Sequence, residues 1–124
     1  MSFDLGVWDS DIGIRKDQPA DIYLRLCEGK VAPNGQSPSV NAFYAELTRK
    51  WPEIDSVPDK KIDDVDFCPW SSAIDHSGMH VIMCCTWSKA NEVAGFVEQL
   101  AAKHGLVFFN PQTNEVKLPQ HPKS

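Results

Sequence analysis

The sequence predicts an α+β fold: a two-layer sandwich, a mainly antiparallel sheet of about four strands with three helices on one face. Three observations carry that prediction. FDLGVW (3–8) alternates apolar and non-apolar positions, as a half-buried strand does. Val40, Phe43, Tyr44, Leu47 and Trp51 form one apolar stripe at helical spacing. MHVIMCCTW (79–87) is apolar on both faces, as a central strand is. The element order is βααββαβ, and a variant of the ferredoxin-like split βαβ arrangement is one form it takes.

The elements follow in order. In 3–8, Phe3, Leu5 and Val7 point one way, and Asp4, Gly6 and Trp8 the other. Residues 9–18 read as a loop, with Asp17 as a helix cap and Pro19 allowed in the first turn. The first helix runs from Pro19 to Glu28, buries Ile22, Tyr23 and Leu26, and ends at Gly29. APNGQSP (32–38) is turn-rich, and Ser39 is the expected N-cap of the second helix, which Pro52 stops. Residues 53–66 lack either periodicity and read as a long acidic surface loop. Strands follow at 70–75 and 79–87 around a His76-Ser77-Gly78 turn. Ser88 is the expected cap of a third helix, with a stripe of Ala90, Val93, Ala94, Val97, Leu100 and Ala101 closed by Gly105. LVFF (106–109) is the last good strand, and NEVKL has the pattern of a short hairpin return. All three helical stripes are expected on the Phe3/Leu5/Val7 face. The face with Asp4 and Trp8 is then the open one.

At 124 residues the chain is expected to be a single domain over 1–118, with a frayed tail at 119–124. The net charge of −5 comes without a basic patch, so nucleic acid is not an expected partner. No signal peptide and no membrane-length apolar run is visible, so a cytoplasmic location without membrane contact is expected. Cys27, Cys68, Cys84 and Cys85 show no CxxC spacing and suit a reduced compartment.

DFCPWSSAIDHSG (66–78) concentrates reactive side chains, but neither a catalytic nor a metal set is expected. His76 and His80 are four apart on either side of a turn, looser than a structural zinc site. Cys68 stands near Asp63, Asp64 and Asp66, whose charges disfavour a thiolate. The rival expectation is a small enzyme or a metal- or ligand-binding domain built on Cys68, His76 and His80. No cofactor is implied, because GxGxxG and P-loop patterns are missing.

The remaining reading is an interaction surface. Asp59, Asp63, Asp64 and Asp66 would steer a basic partner, and Trp70 beside them would supply an aromatic anchor. Asp4 and Trp8 on the open face form a second candidate patch.

MSFDLGVW, SPSVNAFYAELTRKWPEID, DDVDFCPWSSAIDHS with HVIMCCTWSKA, and AAKHGLVFFNPQ together resemble a family of small bacterial proteins. These open MS-Phe/Tyr-DL-x-VW and close HGL-x-x-x-Asp/Asn-PQ. The resemblance spans residue 1 to about 118 and departs from many relatives at Asn110, where they carry Asp. It brings no catalytic residues. Some members lie beside polymorphic toxin cassettes of the contact-dependent or Rhs type and look like immunity proteins. The resemblance therefore implies a non-enzymatic binder of a cognate toxin domain, active in interbacterial competition.

Overall fold

The computed structural model describes residues 3–9, 19–28, 36–56 and 68–118. The elements are β1 (Phe3–Trp8), α1 (Pro19–Glu28), α2 (Pro38–Lys50), β2 (Asp75–His76), β3 (His80–Cys85), α3 (Ala90–Lys103), β4 (Val107–Asn110) and β5 (Glu115–Lys117). The class is α+β, with one sheet ordered β2-β3-β1-β4-β5 and antiparallel throughout. Five strands replace the expected four, because the NEVKL return pairs with β4. β1 and β2 run parallel on either side of β3, and β3 and β4 run parallel on either side of β1, which is the strand placement of a split βαβ unit.

β1 is the middle strand. It opposes Leu5 to Met83 and Val7 to Val81 on one side, and Val7 to Phe108 on the other. These residues share one face, which α2 and α3 cover with Val40, Phe43, Leu47, Val93, Val97 and Leu100, all buried. Gly6, Trp8, Ile82, Val107 and Phe109 share the opposite face. There the structure corrects the expectation of an open sheet. α1 packs on this face through Ile22, Tyr23 and Leu26, and Trp8 is only 2% exposed. The helices thus lie on both faces. Periodicity shows that α1 has an apolar stripe, but a stripe does not say which side of the sheet will receive it.

Local signals explain most boundaries. Ser37 rather than Ser39 caps α2: its hydroxyl oxygen accepts from the Val40 N–H at 3.2 Å, and Pro38 takes the first helical position. α3 starts at Ala90 after a 3₁₀ turn, Trp87–Lys89, and Ser88 does not cap it. It ends in a Schellman motif. Gly105 adopts φ 67°, Leu106 N–H donates to Ala101 O at 2.9 Å, and Gly105 N–H to Ala102 O at 3.2 Å. The expected strand over 70–75 shrinks to a single bridge, Trp70 to Cys85, and the two residues of β2, which take in His76. The expected strand over 79–87 is β3, His80–Cys85, and stops short of Trp87, which is 47% exposed.

The caps expected of Asp17 and Gly29, most of the 32–38 turn and the tail at 119–124 lie outside the described residues. No helix among the described residues is long and apolar enough to cross a membrane.

α1 sits close because β1 carries a glycine beneath it. A Cβ at Gly6 would stand 2.8 Å from Cδ1 of Tyr23 and 3.1 Å from Cζ3 of Trp8. We expect Gly6→Ala to destabilise the fold by about 1–3 kcal/mol in urea unfolding, through overpacking. Combining it with Tyr23→Leu should cost less than the sum of the two changes, because the colliding ring is gone.

Candidate functional site

The acidic segment lies between the end of α2 and Cys68, and the described residues on its two sides are tied together. Trp51 closes α2, with its N–H donating to Leu47 O at 3.0 Å. Its carbonyl accepts from Trp70 Nε1 at 3.0 Å, and the two indoles meet edge to face at 5.9 Å. Phe96 of α3 packs on Trp51 from another side at 5.2 Å. One residue on, Pro52 O accepts from the Cys68 thiol at 3.4 Å. Pro69 O accepts from Thr86 N–H, and Ser71 N–H donates to Cys84 O, both at 2.9 Å, so the returning chain is stitched to the end of β3.

Glu53 adds a second tie. Its Oε1 accepts from Ile74 N–H at 3.0 Å, and its Oε2 accepts a short hydrogen bond from the Tyr44 hydroxyl. Tyr44 stacks on the imidazole of His76 with centroids 4.1 Å apart, and His76 Nε2 lies 3.9 Å from Glu53 Oε2. Desolvation first, and then the hydrogen bond to Glu53, push the Tyr44 hydroxyl up to about 12. It is therefore a permanent donor to Glu53 at neutral pH. The 3₁₀ turn Ile54–Ser56 follows, inside the stretch expected to be a loop.

The predicted contact residues fall into two groups. Asp59, Asp63, Asp64 and Asp66 lie outside the described residues. Trp70 and Trp8 are described, and each is 2% exposed. Neither indole is offered to a partner: Trp70 is buried against Trp51, and Trp8 beneath α1. Asp4 is half-buried beside α1. Its backbone is held by Gln112, whose Oε1 accepts from Asp4 N–H and whose Nε2 donates to Asp4 O, both at 2.7 Å. Gln112 is itself anchored on buried Asn110, whose Oδ1 accepts from Gln112 N–H at 3.0 Å and from Nε2 at 2.7 Å. The Asn-Pro-Gln sequence thus extends the β1 ladder with a side chain, and an amide at residue 110 serves this.

The rival set does not converge. His76 opposes Val81 and His80 opposes Trp8, which puts the two imidazoles on opposite faces of the sheet. Cys68 is buried, and burial pushes its thiol up more than Glu53 does. The described residues hold no group of three or more His, Cys, Asp or Glu that could bind a metal.

His80 is 6% exposed, and its Nδ1 lies 2.7 Å from the Ser77 hydroxyl. Its Nε2 is buried without a hydrogen-bond partner among the described residues, since Asp75 Oδ2 is 3.8 Å away, too far for a hydrogen bond. Burial lowers the imidazole below its ordinary 6.5, outweighing the opposing pull of Asp75.

Sequence reasoning missed the Glu53–Tyr44–His76 cluster. Tyr44 and Glu53 flank the Pro52 break, so no single period links them. It also missed the tie between α2 and α3, where Lys103 Nζ lies 2.9 Å and His104 Nε2 3.1 Å from Glu46 Oε1. The Lys103 hydrogen bond holds the Glu46 carboxyl below its usual range.

No family model, no curated protein and no solved structure matches the chain.

Two outcomes follow. Trp70→Phe leaves the buried Trp51 carbonyl without its donor and should cost about 1–3 kcal/mol in denaturant unfolding. His80 predicts stability lost on acidification. Its folded value is depressed, so at neutral pH both states are uncharged there. As pH falls through 6.5 the unfolded state takes the proton first. The loss is at most about 1.4 kcal/mol per pH unit. Unfolding curves of wild type and His80→Gln, taken on either side of that value, should show a shallower pH dependence in the variant.

Proposed function

We propose that this chain is an immunity-type interaction protein: a cytoplasmic, non-enzymatic antitoxin that binds and neutralises a cognate bacterial polymorphic toxin. The observation that carries the reading is the clamp under the acidic segment. Trp51–Trp70, Pro52–Cys68 and Glu53–Ile74 bring both ends of 53–68 to one place. Between them, residues 55–66 hold five aspartates against two lysines. Joining the two flanks of a recognition segment fixes where on the fold it begins and ends. Buried Trp70 then acts as an anchor for the segment rather than as a contact.

Charge complementarity supports the partner's chemistry. Toxin domains that cleave nucleic acid are often basic, because they hold a phosphate backbone, and an acidic segment can imitate that backbone. The resemblance of MSFDLGVW, DDVDFCPWSSAIDHS and HGLVFFNPQ to immunity-like bacterial proteins points the same way. The rival reading loses support from the opposite projection of His76 and His80.

The test is affinity purification of the tagged chain from its host, followed by mass spectrometry. A stoichiometric toxin C-terminal fragment is the expected result; recovery without one, while that toxin is expressed, overturns the reading. With the fragment in hand, the double variant Asp63→Lys/Asp64→Lys should bind roughly tenfold or more weakly by calorimetry, with the larger difference at low salt. Unchanged affinity removes the acidic segment from the interface.

A further inference from the structure

The two edges of the sheet end differently. At the β2 edge, Ser77 N–H bonds inward to His80 O, so by alternation the Ile74 N–H points outward. Glu53 Oε1 takes it, and Tyr44 and His76 pack around the carboxylate. A side chain occupies the position a sixth strand would need. At the other edge, no described residue pairs with the outer side of β5. An unpaired edge is a template for another strand.

The residues on that edge are self-complementary. β5 reads Glu115-Val116-Lys117; Lys117 Nζ lies 3.6 Å from Glu115 Oε2 within the strand, and both side chains are about half exposed, so a second copy would exchange this pair for two pairs between strands. Glu115 and Lys117 lie on one face of the strand, opposite Asn110 and Phe108. If two copies pair antiparallel about a dyad through Val116, Glu115 of each copy faces Lys117 of the other. Both cross-strand pairs are then of opposite sign, and Val116 meets Val116. A parallel alignment in the same register would set Glu115 against Glu115 and Lys117 against Lys117. On the α3 side of this edge runs a groove of about 810 Å³, lined by Ala102, Leu106, Phe108 and Leu118 among others. It leaves room for the long side chains of a second strand. Leu118, 64% exposed, adds apolar surface at the end of β5.

We propose that β5 is a self-pairing edge, through which two copies of the chain join their sheets antiparallel, centred on Val116. The contact is short, so the dimer is a weak one. The occupant is a second copy because the charge pattern is complementary to itself.

Sedimentation velocity on the full chain, across low to high micromolar concentration, tests this. Wild type should pass from monomer to dimer. Lys117→Glu alone and Glu115→Lys alone each create like-charge pairs twice over, because the dyad repeats them. Each should weaken self-association roughly tenfold. The double variant Glu115→Lys/Lys117→Glu reverses both signs and should restore the dimer. Circular dichroism checks that these exposed substitutions leave the fold intact. A wild type that stays monomeric, or single variants that dimerise unchanged, overturns the proposal and leaves the edge to a strand of another protein. Failure of the double variant to recover what both single variants lose overturns the Val116-centred register.

Discussion

β1 is hydrogen-bonded on both sides and packed on both faces, and the other described elements are arranged around it. Its register with β3 and β4 places Leu5 and Val7 in the core under α2 and α3. The same register places Gly6 and Trp8 in a second core under α1. A strand buried on two faces leaves little room for error, and the glycine shows how little. Tyr23 Cδ1 stands only 2.8 Å from where a Cβ on residue 6 would be, so the seating of α1 depends on the smallest residue in the central strand. β1 precedes the other described elements, yet its partners come from far along the sequence. Its hydrogen bonds therefore close long loops, and their entropic cost is met by the two apolar layers that form at the same time.

The clamp below the acidic segment follows from the same frame. α2 ends at Trp51 with its indole against Phe96 of α3, and β3 ends where Pro69 and Ser71 pair with Thr86 and Cys84. Both ends of the segment are thus built onto buried, regular structure. Trp51 and Trp70 are the joint, one giving a carbonyl and the other an indole N–H. Large aromatic residues suit such a joint, because each buries extensive apolar area and keeps one polar handle for a directed bond. Glu53 then seals the neighbouring sheet edge with a carboxylate held by an amide and a phenol.

The contrast between the two sheet edges is one of chemistry rather than position. Glu53, Tyr44 and His76 leave no donor open at Ile74. β5 carries one acid and one base flanking a valine, with exposed Leu118 following. Charges on an edge strand ordinarily discourage pairing, but alternating signs discourage only the registers that bring like charges together.

Local rules explain what the sequence by itself determined. β1 over 3–8 and α1 over 19–28 were legible from alternation, a helical stripe and Pro19, and the end of α3 from Gly105. So was the acidic run, since charge needs no geometry to be read. The NEVKL hairpin return was legible too. Tertiary structure alone decided which face each helix covers and that His76 and His80 diverge. It alone decided that Trp8 and Trp70 are interior, and that Glu53 reaches Tyr44 and Ile74. The physical reason is range. A stripe, a cap or a glycine stop acts over one or two turns of chain, and its residues carry it wherever they go. A sheet register or a tie between loop ends joins residues distant in sequence, and their own neighbours say nothing about the partner they will meet.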